Sequence, residues 1–150
     1  MARYKRILLA VDFAADNELI IDKATQAVQD NDAELLLVHV NEPMATAYSD
    51  GTMGGWNTQV VELEAQLRDH AKGMMEALGS RLKISGENCF LPYGRAANEI
   101  KSLAVEKEVD LIVVGTHGQH GLGLLLGSTA NGVLHGVTCD VLVVRAPEPG

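Results

Sequence analysis

Uniformly apolar runs alternate along this chain with segments whose apolar positions recur at helical spacing. The first pattern is typical of strands buried on both faces, and the second is typical of amphipathic helices. The apolar runs predict five strands, at Arg6–Asp12, Glu34–Asn41, Asn88–Tyr93, Asp110–Gly115 and Asp140–Arg145. The periodic segments predict four helices, from Asp16 to about Gln29, from Asn57 or Thr58 to Gly79, from Ala96 to about Lys107, and from Ser128 to about His135.

Strands that are apolar on both faces and alternate with helices predict a parallel sheet covered on both sides. A length of 150 residues suits one domain, and no linker or repeat divides the chain. We therefore expect residues 1–150 to form a single-domain, doubly wound α/β fold with a five-stranded parallel sheet. In such folds the ligand binds at the carboxyl ends of the strands, where the winding reverses.

The segment from Leu111 to Ser128 places a glycine-rich loop between the fourth strand and the last helix. Glycines let backbone amides approach a ligand closely. The free amides and the positive dipole end at a helix N-terminus favour a phosphate group. The sequence therefore predicts an anion-binding loop at this point of the fold.

Spacing distinguishes this loop from two common glycine-rich loops. Gly127 is followed directly by Ser128, without the lysine that a P-loop requires. Leu126 stands where a dinucleotide fingerprint beginning at Gly121 needs its third glycine. The remaining pattern has eight residues between its second and third glycines and consists of Gly115, Gly118, Gly127 and Ser128.

The ordered set of motifs along the chain resembles the universal stress protein family. The matching segments are ILLAVD, LLLVHV, GRAANEI, DLIVVGTHG and GSTANGVLHGVTCDVLVVR. The resemblance implies the strand order 3-2-1-4-5, in which strands one and four are neighbours. It also implies that the chain binds an adenine nucleotide, ATP or AMP, and acts in stress response.

In ATP-binding members of that family, the residue matching Asp12 lies near the adenine and ribose, and the residue matching Val40 packs on the base. The phosphates are held by residues matching Gly115, Gly118, Gly127 and Ser128. Each position also has a purely structural alternative. Asp12 could cap a turn or helix, and the glycines could serve a tight loop and close packing. Val40 is expected in the core, and Ser128 at the N-cap of its own helix, whether or not a ligand binds.

The sequence departs from the ATP-binding members in its loop, which is one residue shorter than their G-x2-G-x9-G-[ST] pattern. Two further features resemble the branch of the family that does not bind ATP: His117 lies within the loop, and Asp140 stands where many ATP-binding members have proline. Two hypotheses stay open: a nucleotide-binding stress protein, and a dimeric interaction module of the same family that binds no nucleotide. Neither predicts catalytic residues, and any ATPase activity would be slow.

Metal binding is not expected. His117 and His120 supply two ligands without a third nearby, and Cys89 and Cys139 fit no metal spacing. Both cysteines are expected to be reduced thiols in or near the core.

Charge excludes two classes of partner. A net charge of −8 argues against nucleic acid and against an anionic membrane surface. The apolar run after the basic N-terminus is too short for a signal peptide or a membrane span, so we expect a cytoplasmic protein.

In the implied order the fifth strand lies at a sheet edge. An exposed apolar edge strand invites pairing with another chain. The resemblance implies that a two-fold homodimer covers this edge. The residues of the predicted interface are Val141, Leu142, Val143 and Val144.

Overall fold

The computed structural model describes residues 3–13, 16–43, 58–116 and 127–145. Within these ranges every predicted helix and strand is present, and a 3-10 turn at Gly86–Asn88 precedes the third strand. The elements are β1 (Arg6–Ala10), α1 (Glu18–Asn31), β2 (Glu34–Val38), α2 (Thr58–Leu82), β3 (Cys89–Phe90), α3 (Ala96–Glu106), β4 (Leu111–Gly115), α4 (Ser128–Leu134) and β5 (Asp140–Val144).

The five strands form one parallel sheet in the order β3-β2-β1-β4-β5. Leu8 of β1 lies opposite Leu36 of β2 on one side and Ile112 of β4 on the other. The order implied by the family resemblance is therefore confirmed. β1 and β4 are neighbours, and β3 and β5 form the two edges.

Helices cover both faces of the sheet, so two separate cores form. On one face of the sheet, α1 and α2 pack over Ile7 and Leu9 of β1. On the other face, α3 and α4 pack over Leu8, the residue between those two in the strand. Successive strand residues point to opposite faces. Because both faces are buried, the strands are apolar at nearly every position after the charged first residues of β1, β2 and β5, which is the pattern seen in the sequence.

The sequence predicts Asp16 as the N-cap residue of α1, but the N-cap lies one residue later in the structure. Asn17 occupies the N-cap position, and Asp16 Oδ1 accepts a hydrogen bond from the Glu18 amide at 3.0 Å. The Asn17 side chain does not cap the helix. It bonds back to Asp12, accepting from the Asp12 amide at 3.1 Å and donating to the Asp12 carbonyl at 2.8 Å.

The predicted end of α2 at Gly79 is wrong, since the helix continues to Leu82. Gly79 is buried, and a Cβ added to it would lie 3.1 Å from Cys89 Sγ at the start of β3. Its small size therefore serves close packing between helix and sheet.

Helical spacing predicts that α2 has one apolar face, formed by Val60, Leu63, Leu67, Ala71, Met74 and Leu78, and this prediction is correct only in part. Ala71 and Leu78 are buried, but Leu63, Leu67 and Met74 are each 40% or more exposed. Met75 is buried in place of Met74. The first half of α2 extends beyond the sheet core, which leaves its side chains beside the ends of the strands.

A cleft at the carboxyl ends of the strands

The ends of β1, β2 and β3 open into a cleft of about 410 Å³. One wall consists of the residues that follow these strands, and the other is the first half of α2. The lining residues are Asp12, Phe13, His39, Val40, Asn41, Glu42, Glu64, Leu67, Arg68, His70, Ala71 and Tyr93. Two residues predicted from the sequence, Asp12 and Val40, thus share one cleft.

Asp12 lies on a turn that hydrogen bonds hold on both sides. The Val11 amide donates to the Val38 carbonyl at 2.9 Å, which extends the pairing of β1 and β2 beyond their ends. The Asn17 side chain bonds both the amide and the carbonyl of Asp12. The backbone of Asp12 is therefore positioned by the protein itself, without a ligand.

Val40 serves the core and the cleft together. It is half-buried and packs against the core on the α3 and α4 face, while also lining the cleft. The structural alternative and the ligand role proposed by the resemblance are thus compatible at this position.

Phe13 and His39 form an aromatic pair in the cleft, and sequence reasoning did not single them out. Their ring centroids are 4.6 Å apart with an interplanar angle of 35°. His39 Nδ1 lies 3.4 Å from the Phe13 amide and 3.1 Å from the Val11 carbonyl. Nδ1 accepts from the amide when unprotonated and donates to the carbonyl when protonated. The only available signal was adjacency, since each residue neighbours a predicted site residue.

Tyr93, which follows β3, connects the two walls of the cleft. Its hydroxyl donates to Glu64 Oε2 at 3.2 Å, and the Arg68 guanidinium carbon lies 5.3 Å from its ring centroid. Desolvation, followed by the neighbouring Glu64 carboxylate, raises the pKa of Tyr93. Asn41 pairs with Tyr93 in an isolated bridge, so Tyr93 is held beside the end of β2.

Gly115 ends β4 beside the seam with β1. A Cβ added to it would lie 2.7 Å from Ile20 Cδ1, so the position is packed closely against α1. This contact explains a glycine at this position whether or not a ligand binds.

The two ends of the glycine-rich loop meet above β4. The Thr116 amide donates to the Val144 carbonyl at 2.9 Å, and the Gly127 amide donates to the Thr116 carbonyl. Gly127 is the N-cap residue of α4, with φ −62° and ψ 157°. Gly118 and the rest of residues 117–126, including His117 and His120, lie outside the described residues.

The prediction that Ser128 caps α4 is wrong. Ser128 is the first helical residue, and α4 has no side-chain cap hydrogen bond. The Ser128 residue is exposed at the end of the loop. Its backbone amide belongs to the first turn, where helical amides have no partner within the helix.

Within the described ranges, no group of three or more His, Cys, Asp or Glu side chains has the arrangement of a metal site. Cys89 and Cys139 are free thiols that are partly buried, as predicted. Of the helices that the structure describes, none is both long and apolar enough to cross a membrane.

Comparison with known proteins matches residues 3–145 to the universal stress protein family. Universal stress protein A homolog 2 of Coxiella burnetii is 42% identical over 150 residues, covering 97% of each chain. Homolog 1 of the same organism is 39% identical over 146 residues, covering 97% of this chain and 99% of the relative.

A solved structure shows the same architecture. Universal stress protein UspA from Lactobacillus plantarum superposes with a TM-score of 0.77 at 27% identity, covering 97% of this chain and 100% of that chain. The family match, the two relatives and this fold agree over nearly the whole length. The chain belongs to the universal stress protein family.

Proposed function

We propose that this chain is a cytoplasmic stress-response protein that binds an adenine nucleotide, ATP or AMP, without enzymatic turnover. The observation that carries the proposal is the placement of Asp12 and Val40. They follow the adjacent strands β1 and β2 and line one cleft, and β1 is also the neighbour of β4. The loop that leaves β4 after Gly115 returns at Gly127 to the carboxyl end of the same strand.

The cleft suits the base and ribose of a nucleotide. Its volume of about 410 Å³ falls within the range of about 300–1,000 Å³ that is usual for small-molecule sites. Val40 and the Phe13 ring offer apolar surface for a base, and the Asp12 carboxylate offers an acceptor for ribose hydroxyls. Mostly apolar walls with a few placed polar groups are typical of such sites.

The phosphates would lie toward β4, at the end of the loop. Because the Gly127 amide donates to Thr116 and the Asn131 amide donates to Gly127, the amides available at the start of α4 are those of residues 128–130. The Ser128 hydroxyl adds a donor at the same place. The participation of Gly118 stays a prediction.

Calorimetric titration of the purified chain with ATP, ADP and AMP tests the proposal. We expect saturable heat with the wild-type protein, and none with Asp12→Ala or Gly127→Val, at unchanged circular dichroism. Gly86→Val is the matched control, because a Cβ at Gly86 meets no atom within 4 Å. Absence of heat from the wild-type protein with all three nucleotides at millimolar concentration would refute nucleotide binding.

The partner proposal is a homodimer through β5. Among the strands that the structure describes, β5 pairs with β4 alone, and its Leu142 is 38% exposed. The opposite edge, β3, has two residues and is followed closely by Pro92, which protects an edge from pairing. The long, apolar edge is therefore the one that needs a cover.

Sedimentation analysis tests the dimer. We expect a dimer for the wild-type protein and a shift to monomer for Leu142→Lys. Val105→Lys is the matched control, since Val105 is a 70% exposed apolar residue on α3. A wild-type monomer at micromolar concentration would overturn the proposal.

The second candidate is a dimeric interaction module that binds no nucleotide. The hydrogen bond from the Gly127 amide to Thr116 favours it, because that amide is then not free for a phosphate. A universal stress protein solved in complex with cAMP superposes with a TM-score of 0.54 at 23% identity. A likeness at 23% identity establishes the fold and not the ligand. The calorimetric titration with ATP, ADP and AMP therefore decides between a nucleotide-binding protein and an interaction module.

A further inference from the structure

Negative side chains outnumber positive ones in the cleft. Among the described lining residues, the carboxylates are Asp12, Glu42 and Glu64, and Arg68 is the one Lys or Arg side chain. Asp12 and Glu64 are half-buried. Charges that are partly removed from water are screened less by salt than exposed charges are.

Arg68 packs against Tyr93 in this cleft, with its guanidinium carbon 5.3 Å from the ring centroid. Glu64, one helical turn earlier, accepts from the Tyr93 hydroxyl at 3.2 Å. One guanidinium stands against three carboxylates, so the lining that the structure describes has an excess of negative side chains.

We propose that the cleft selects nucleotides whose ribose hydroxyls are unmodified and rejects those that carry a phosphate on the ribose 2′ oxygen. This inference rests on the proposed function. A ribose hydroxyl donates a hydrogen bond to a carboxylate. A phosphate dianion at the same place has only acceptor oxygens and is repelled by the carboxylates. The specificity arises from Glu64 on α2 as well as from Asp12 after β1.

Three ligands separate charge at the ribose from charge elsewhere. AMP is the reference, and adenosine 2′,5′-bisphosphate adds a phosphate at the ribose. ADP adds a phosphate at the 5′ end, toward the loop. By calorimetry at low ionic strength we expect the bisphosphate to bind at least about tenfold more weakly than AMP, whereas ADP is not weakened.

A matched pair of variants tests the part played by Glu64. Glu64→Gln removes one carboxylate from the cleft and keeps an acceptor for Tyr93. Glu62→Gln removes the same charge from the exposed side of the same helix, because residues two apart do not share a face. We expect Glu64→Gln to reduce the ratio of the two dissociation constants by about threefold or more, and Glu62→Gln to leave it unchanged.

The outcomes distinguish this inference from the function on which it rests. Equal binding of AMP and the bisphosphate, or a ratio that Glu64→Gln does not change, overturns the inference and leaves the nucleotide site intact. Failure of AMP, ADP and the bisphosphate to bind overturns both. A ratio that both variants reduce equally also overturns it, because the effect would then come from net charge.

Discussion

The contact between α3 and α4 is tight at Gly132. A methyl group on Gly132 would lie 2.6 Å from the Cβ of Ala97. Carbon atoms in favourable contact are about 3.5–4.0 Å apart, so the two helices would have to separate by roughly 1 Å. Because α4 begins at Ser128, this shift would also move the end of the glycine-rich loop.

The expected effect of Gly132→Ala combines two opposing contributions. Overpacking a close contact costs about 1–3 kcal/mol, because buried neighbours must move. Alanine in place of glycine within a helix gains about 0.8–1.0 kcal/mol. We therefore expect the free energy of unfolding to fall by about 1 kcal/mol.

Two further variants separate these contributions. Gly73→Ala tests helix propensity alone, since a Cβ at Gly73 meets no atom within 4 Å, and should raise the free energy of unfolding by about 0.8–1.0 kcal/mol. Ala97→Gly combined with Gly132→Ala moves the methyl group from one helix to the other. This double variant should be more stable than Gly132→Ala.

Urea denaturation followed by circular dichroism measures all four proteins. Protein concentration must be equal throughout, because association would add to apparent stability. Equal m-values would show that the midpoints report stability. The packing argument is refuted if Gly132→Ala unfolds at the same or higher urea than wild type, or if the double variant unfolds no later than Gly132→Ala.

An ion pair, a carboxylate that accepts from backbone amides, and two partly buried thiols each lead to a further prediction. Arg81 donates two hydrogen bonds to Glu18, at 2.8 and 2.7 Å, and so lowers the pKa of that carboxyl. This ion pair stabilises the fold above the pKa that Glu18 has in the unfolded chain, and the stabilisation is lost as the pH falls through the lower pKa of Glu18 in the folded protein. In an NMR titration, Arg81→Ala should raise the pKa of Glu18, and an unchanged pKa would contradict the contact. The Asp110 carboxylate accepts from two backbone amides at the start of β1, at 2.9 and 3.0 Å. Asp110→Ala should therefore lower the free energy of unfolding by about 1–3 kcal/mol, and unchanged urea denaturation would count against this role. Burial raises the pKa of the Cys89 and Cys139 thiols. Both should react with a thiol reagent more slowly than a cysteine peptide, with the difference lost in urea.

The sequence by itself determined the strands, the helices and the class of fold. A run such as Leu111 to Val114 is apolar at every position because both faces of the sheet are covered, and that requirement is visible locally. Asp12 and Val40 were nominated by the resemblance to the universal stress protein family, and their placement along the strands agrees with it. They follow buried strands, and the carboxyl ends of parallel strands lie at one edge of the sheet.

Only the tertiary structure decided which residues share the cleft with Asp12 and Val40. Glu64 and Arg68 come from a helix whose periodicity predicted a buried face, and they meet Tyr93 because the first half of α2 extends beyond the core. Gly79 and Gly127 show the same limit, since one packs against Cys89 and the other donates its amide to Thr116. Periodicity reports the burial of a residue within its own element. Which residues meet across elements depends on how the helices and strands pack, and no local pattern contains that information.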